Sequence, residues 1–264
     1  MNDWLSRQSF LGTTSDEVLW RCRVGIIGLG GGGSHIAQQL AHLGVGDFVL
    51  FDPDHVEETN LNRLVGATKK DATKATAKTG VARRLIKKVN PKARVLLVSR
   101  AWQEEGRLIS GCDVVFGGVD TYRAREEIER ACRRFMIPFI DIGMDVKEIP
   151  EGFLISGQMI LSMPGEICMR CMGFLNEELL AQEAARYGVA GGRPQVIWPN
   201  GILASAAVGT FVQILTPWRR HLKPSVYLEY DGNAQTILPS NRLQHLRGKA
   251  CIHFPTSEVG DPFW

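Results

Sequence analysis

The stretch Val24–Leu40, "VGIIGLGGGGSHIAQQL", decides the fold. An apolar run enters a cluster of glycines and a helical pattern follows at once, the order of a buried strand, a tight turn and a helix. Glycine lets the backbone turn sharply and lets a ligand approach where a Cβ would clash. The N–H groups opening the helix, with the positive end of its dipole behind them, suit a phosphate. Gly28, Gly30 and Gly33 have the G-x-G-x-x-G spacing of a dinucleotide fingerprint, and Asp52 ends the next strand, where a ribose-binding acid belongs. The glycines alone do not separate a dinucleotide from a mononucleotide, and a glycine-rich turn without a ligand is the bland alternative.

Outward from this stretch, the pattern alternates. Arg23–Leu29 reads as a strand, Gly33–Gly44 as a helix, Asp47–Asp52 as a strand and Asp71–Pro91 as helical for most of its length. "RVLLVS" is a third strand, Asp113–Asp120 a fourth, and Thr121–Phe135 a helix leading to the strand "PFIDIG". This rhythm predicts an α/β fold, Rossmann-like and doubly wound around a mostly parallel sheet. After Gly143 it breaks. "GFLISGQMILSMPG" reads as a strand returning the other way, "NEELLAQEAARYG" as a polar helix and "GILASAAVGTFVQIL" as an apolar, buried one. "SVYLEYDGNAQTILP" reads as a hairpin turning at Asp231–Gly232–Asn233, so antiparallel strands extend the sheet at its C-terminal side. The chain is read as one domain over 1–264. It has an N-terminal helical arm (1–22), a nucleotide-binding half (23–143), a second half for substrate and zinc (144–254) and a tail (255–264).

Composition narrows the functional class. With 31 basic against 28 acidic residues the net charge is +3, too even a balance for a nucleic-acid surface. No apolar run of about 18 residues is seen, so no membrane span is expected. The opening "MNDWLSRQSF" lacks the apolar core of a signal peptide. Six cysteines in 264 residues do not make a disulfide framework, and a reducing, cytoplasmic setting is expected.

The segment after Asp52 separates the nucleotide classes. "FDPDHVEETNLNR" carries Asp54, Thr59, Asn60, Leu61, Asn62 and Arg63, Lys78 follows in the next helix, and Asp120 ends the fourth strand. Acids with an arginine and a lysine around one sheet edge suit a triphosphate and its metal; a hydride carrier needs a flat apolar slot instead. Lys69, Lys70 and Lys74 read as solvated charges.

These motifs resemble the ThiF/MoeB-type adenylyltransferases, bacterial relatives of ubiquitin-activating enzymes. The likeness runs from about Ser6 to Leu215 through "SRQ", "GLGGGGS", "LGVGDFVLFDPDHVEETNLNR", "KTGVARRLIKKVNP", "DVVFGGVD" and "PGEICMRC". Lys78 is matched by counting back from Asn90–Pro91, and the family's usual Asp-Asn is Asp120–Thr121 here. The resemblance implies ATP-dependent activation of a carboxylate, typically the C-terminal glycine of a small ubiquitin-like protein ending in Gly-Gly, as an acyl-adenylate with loss of pyrophosphate. By that likeness Gly31 lies under the phosphates, Asp52 takes the ribose hydroxyls, Thr59–Arg63 wrap the nucleotide, Arg63 and Lys78 neutralise phosphate and Asp120 holds Mg²⁺. Arg7 matches an arginine that reaches the γ-phosphate of a neighbouring subunit, which implies a homodimer.

Cys168-x-x-Cys171, after Pro164–Gly165, has metal-ligand spacing. The family completes this site with a second Cys-x-x-Cys; this chain offers Cys251-x-His253, so a structural Cys₃His zinc site is expected, with two free thiols as the alternative. Cys22, Cys112 and Cys132 read as small buried hydrophobes. Members that form a thioester carry a cysteine near the position of Ile197, and no cysteine lies between Cys171 and Cys251. The reading is therefore an adenylating enzyme without its own transfer cysteine. Its rivals are a non-catalytic scaffold subunit, an NAD(P)-dependent oxidoreductase, and an enzyme adenylating a small-molecule or RNA-bound carboxylate.

Overall fold

A computed structural model describes residues 3–185, 194–219, 221–246 and 249–254. A 3-10 segment, Asp3–Leu11, and α1 (Ser15–Arg21) lead into β1 (Arg23–Ile27), α2 (Gly31–His42) and β2 (Asp47–Phe51). Then come α3 (Lys69–Thr73), α4 (Lys78–Val89), β3 (Arg94–Val98), β4 (Val114–Gly117), α5 (Tyr122–Arg134), β5 (Phe139–Ile149) and β6 (Gly152–Ser162). The described chain continues with α6 (Glu177–Ala185), α7 (Ile197–Leu215), β7 (Tyr227–Asp231) and β8 (Thr236–Pro239). The strands form one eight-stranded sheet in the order β3-β2-β1-β4-β5-β6-β7-β8. The first five are parallel, and β6, β7 and β8 pair antiparallel. The expected doubly wound sheet with an antiparallel extension is the fold found.

Strand side chains alternate between two apolar layers. Val24, Ile26, Phe48, Leu50 and Phe116 face the side covered by α2, α4 and α7. Val49, Phe51, Val115 and Phe139 face α5, the 3-10 segment Trp102–Gly111 and the loop around Met169. Burial on both faces explains why these strands read as continuous apolar runs. Cys22, Cys112 and Cys132 are buried, as expected.

Local differences from the sequence reading have local causes. The helix expected over Asp71–Pro91 is broken at Lys74–Ala77: Ala75 has φ 47°, and Ala77 bridges His55 in a short antiparallel pairing. That break starts α4 at Lys78 and brings it beside the Asp52–Asp54 loop. Strand β4 ends at Gly117, because the chain must leave the sheet before Asp120. The boundary drawn between residues 143 and 144 falls inside β5, which runs on in register with β6 to Ile149. Helix α7 begins at Ile197, four residues early, and only one face of it is buried: Asn200, Leu203, Ala204, Ala207, Val208 and Phe211 recur at helical spacing. By length and composition α7 could cross a membrane, contrary to the expectation of no such run, yet half of it is packed inside the protein against α2, β5 and β6. The tail 255–264 lies outside the described residues.

The order 2-1-4 marks where the winding reverses, and the crevice between the carboxyl ends of β1 and β4 is where an open α/β sheet takes its ligand. Three glycines make that crevice. Gly28 has φ 86°, and a Cβ there would lie 2.6 Å from the Gly118 carbonyl oxygen; a Cβ at Gly33 would overlap the Gly28 carbonyl oxygen. Gly33→Ala should therefore cost about 1–3 kcal/mol or more as an overpacked contact against backbone. Gly80→Ala, where the nearest atom to the new methyl is Thr76 Cγ2 at 3.8 Å, should stabilise by roughly 0.5–1 kcal/mol through helix propensity. Thermal unfolding of both variants checks the contrast.

Candidate functional site

A cavity of about 350 Å³ opens at that crevice. Its floor is the loop after β1. Gly28 N–H donates to the Phe51 carbonyl (2.9 Å) and Gly118 N–H to the Ile27 carbonyl (2.9 Å), so the turns leaving β1 and β4 are locked to their neighbours. Helix α2 has no side-chain cap on Gly30 and no acid in its first turn, which leaves its N-terminal field uncompensated toward the cavity. A Cβ at Gly30 would meet nothing within 4 Å, whereas one at Gly31 would strike the Asn200 side chain.

Asp52, 3% exposed, accepts the Leu29 N–H (2.6 Å) and the Asp54 N–H (2.9 Å), fixing both loops that flank it. Burial pushes its carboxyl up, while the Lys78 charge and the two N–H groups pull it back down. Lys78 Nζ lies 2.7 Å from Asp54 Oδ2, and the Lys78 N–H donates to the Asp54 carbonyl (3.0 Å). Arg63 donates from Nη1 to the Thr59 carbonyl (2.7 Å) and to Asn62 Oδ1 (3.0 Å). Asn62 in turn donates to the Gln195 carbonyl (2.8 Å), and Gln195 Nε2 sits 3.4 Å from Asp120 Oδ1. A hydrogen-bonded rim thus runs from the Thr59 loop through the approach to α7 to the end of β4.

Gly28, Gly30, Gly31, Asp52, Asp54, Arg63, Lys78 and Asp120 all line this one cavity. Other residues singled out in the sequence build its frame. Gly33 is the close contact beneath the loop, Asn60 accepts the Glu57 N–H (3.2 Å), Leu61 packs with Val56, Leu64 and Val81, and Thr121 Oγ1 caps α5 through the Ala124 N–H (3.2 Å). Thr59 is exposed and contributes its carbonyl to Arg63. Arg7 lies on the exposed arm, away from its own chain's cavity, with no hydrogen bond or ion pair among the described residues. Sequence reading missed Trp102 and Gln103 from the 3-10 segment, Arg125 from α5, Gln158 from β6 and Asn200 from α7, all in the cavity wall. Their signal is weak: Trp102, Gln103 and Asn200 lie outside the elements read from the sequence, Gln158 is one polar residue in a strand, and Arg125 is one of many charges on its helix.

A second cluster lies outside the cavity. Cys168, Cys171, Cys251 and His253 bring their donor atoms within 4.8 Å of one another. Sγ–Sγ distances are 3.7 Å (Cys168–Cys171) and 3.8 Å (Cys171–Cys251), and His253 Nδ1 is 3.5 and 3.2 Å from Cys168 and Cys171. With zinc bonds of about 2.3 Å to sulfur and 2.0–2.1 Å to nitrogen, a tetrahedron has edges of about 3.8 Å (S–S) and 3.5 Å (S–N). Three of the four distances match that geometry and the fourth is slightly short. The loop is held to the sheet by buried Glu129, which accepts from Ser162 Oγ (2.5 Å) and the Met169 N–H (2.9 Å), and by Arg133, which donates to the Glu166 and Ile167 carbonyls (both 2.8 Å).

Residues 5–251 match the model of the ThiF family. This chain belongs to the ThiF family. Among curated relatives, ubiquitin-like modifier-activating enzyme 5 of Dictyostelium discoideum is 30% identical over 162 residues, covering 56% of this chain and 40% of that protein. The tRNA threonylcarbamoyladenosine dehydratase of Haemophilus influenzae is 30% identical over 128 residues, covering 47% of this chain and 48% of the relative. The SAMP-activating enzyme E1 of Haloferax volcanii is 30% identical over 152 residues, covering 57% and 53%. The chain thus spans about half the length of the curated relatives it matches or less. Among solved structures, E. coli MccB with ATP superposes with a TM-score of 0.72 at 21% identity over 92% of this chain and 72% of that one, a likeness of fold.

Proposed function

We propose that this ThiF-family protein is an ATP-dependent adenylyltransferase that activates the C-terminal glycine of a small ubiquitin-like protein. The observation that carries this reading is the convergence of the glycine loop, Asp52, Arg63, Lys78 and Asp120 on one cavity. A scaffold subunit has no use for that charge set, and two cations with an acid for a metal suit a triphosphate better than the pyrophosphate of NAD. A carboxylate oxygen attacks the α-phosphorus as its bond to the bridging oxygen breaks, giving acyl-adenylate and pyrophosphate. The α2 N-terminus, Arg63 and Lys78 meet the charge of the phosphates, most of all where it grows on the departing pyrophosphate. Asp120 would hold Mg²⁺, which supplies further charge stabilisation when bound.

The reaction stops at the adenylate in this reading, because the resemblance puts Ile197 near the place of a transfer cysteine and no cysteine lies between Cys171 and Cys251. Cys22 and Cys112 are buried with thiols pushed up to about 12, and Cys132 is pushed well above its ordinary value, so none supplies a thiolate. The Cys₃His cluster is read as a structural zinc site, since four protein ligands leave no open position for chemistry. A homodimer is the proposed assembly. It would give Arg7 a phosphate to meet across the interface, and exposed Trp4, Phe10 and Trp218 lie on or beside the arm that carries it. A tRNA-bound carboxylate is the second reading, favoured by the relatives named tRNA threonylcarbamoyladenosine dehydratase.

Calorimetry should detect ATP–Mg²⁺ and not NAD, and ATP–pyrophosphate exchange should depend on a Gly-Gly-ended protein rather than on tRNA. Asp120→Ala should lower the exchange kcat on the order of 10²-fold or more, with a smaller change in ATP affinity. Full exchange by that variant refutes the role given to Asp120. Elemental analysis should find one zinc per chain, and chelation should lower Tm; metal-free protein made under reducing conditions returns the four residues to packing. Arg7→Ala and Asp120→Ala chains, each inactive alone, should regain activity at one site when mixed into a shared dimer. Mixed dimers that form without activity would mean that Arg7 acts within its own chain or not at all.

A further inference from the structure

The cavity has a second pole that the nucleotide does not account for. Opposite the Asp54–Lys78 loop, its wall is made by Arg125 of α5, Gly143 and Met144 of β5, and Gln158 of β6. Gly143 and Gln158 are paired across the β5–β6 ladder. A Cβ at Gly143 would collide with both Arg125 Nη2 and Gln158 Nε2, so two N–H donors from different elements converge over one bare stretch of backbone.

The Arg125 guanidinium is fixed there. Nη2 donates to the Val119 carbonyl (2.8 Å), Nε lies 3.1 Å from Asp141 Oδ2, and the rings of Tyr122 and Phe174 lie 5.7 and 5.9 Å away. Asp141 is fully buried and sits behind the arginine, outside the cavity lining. Removing a carboxylate from water costs several kcal/mol unless it is paired; Arg125 and Gln158 both face this one, and burial still pushes its carboxyl up to about 7. An ion pair so placed contributes little to stability. What it does is aim a planar, permanently charged fork at the cavity wall.

We propose that Arg125 and Gln158 receive the acyl end of the reaction, with Asp141 as the positioning residue for Arg125. This deepens the adenylation reading and rests on it. One oxygen of the incoming carboxylate forms the bond to the α-phosphorus as pyrophosphate leaves with the bridging oxygen. The other oxygen accepts from Arg125 and Gln158 and becomes the acyl carbonyl; no proton is transferred. The missing side chain at Gly143 is what lets Arg125 Nη2 and Gln158 Nε2 lie together against the backbone at that point. The phosphates take their charge from the opposite pole, so these donors act on the acyl group and not on ATP.

The test compares two probes, AMP and glycyl-sulfamoyl adenosine, an uncleavable mimic of the adenylate. The wild-type protein should bind the glycyl mimic more tightly than AMP. Arg125→Lys, which keeps the charge and loses the fork, and Gln158→Leu should each remove about tenfold or more of that gain while leaving AMP affinity within about twofold. Asp141→Asn should act in the same direction and more weakly. In exchange assays with a Gly-Gly-ended protein, the same variants should raise the carboxylate KM and not the ATP KM. If Arg125→Lys unfolds, Gln158→Leu carries the test alone. Variants that keep the full gain, in a protein that exchanges pyrophosphate, overturn this assignment only. A wild-type protein that binds neither probe overturns the adenylation reading with it.

Discussion

Everything at the site depends on the close approach of Gly28, Gly33 and Gly118, three backbones in contact with no side chain between them. Because Gly28 adopts φ 86°, the chain leaves β1 in a turn tight enough for α2 to start three residues later. Because Gly118 fits against it, β4 departs at the same level, and the two turn-offs open one crevice. Asp52 closes this arrangement by accepting N–H groups from the loop after β1 and from the segment after β2. Its burial is tolerated because both oxygens are hydrogen-bonded and Lys78 lies near. The same carboxylate thus shapes the cavity and lines it.

The cations around the cavity are held, but not tightly. Lys78 is largely buried while its partner Asp54 is mostly exposed, and such a half-exposed pair contributes about 0–1 kcal/mol. A polyphosphate, carrying several charges into a site screened from water, competes easily with one solvated carboxylate. Arg63 is different: a carbonyl and an amide oxygen hold it, neither of which carries a charge that must be displaced. The loops therefore hold both cations near the working geometry before any ligand arrives, which lowers the ordering cost on binding.

The second half of the chain is tied to the first by buried polar groups as well as by apolar packing. Glu129 and Arg133, one turn apart on α5, reach across to β6 and to the loop bearing Cys168 and Cys171. Burial pushes the Glu129 carboxyl up, and the Ser162 hydroxyl, the Met169 N–H and Arg133 oppose it. Leaving either partner alone in this place costs more than an exposed pair could, so the network fixes where the loop sits. Helix α5 carries Arg125 to the cavity and Arg133 to the cysteine loop, two turns apart on one rigid element.

The sequence by itself determined the strand–helix rhythm, the glycine turn, the acid ending β2 and the Cys-x-x-Cys pair, because each is written in local spacing. The Cys251-x-His253 spacing is local in the same way, and the fold is what brings it to Cys168 and Cys171. What only the tertiary structure decided are the contacts between segments far apart in the chain. The break before Lys78 comes from a bridge to His55, 22 residues away, which no helical pattern records. Asn200 rests on Gly31 only because α7 packs across α2, and Arg125 meets Gln158 and Asp141 only because α5, β5 and β6 share one corner of the sheet. A single polar residue in an apolar element carries no periodic signal; it becomes part of a site when the packing of its neighbours turns it toward the same space as the others.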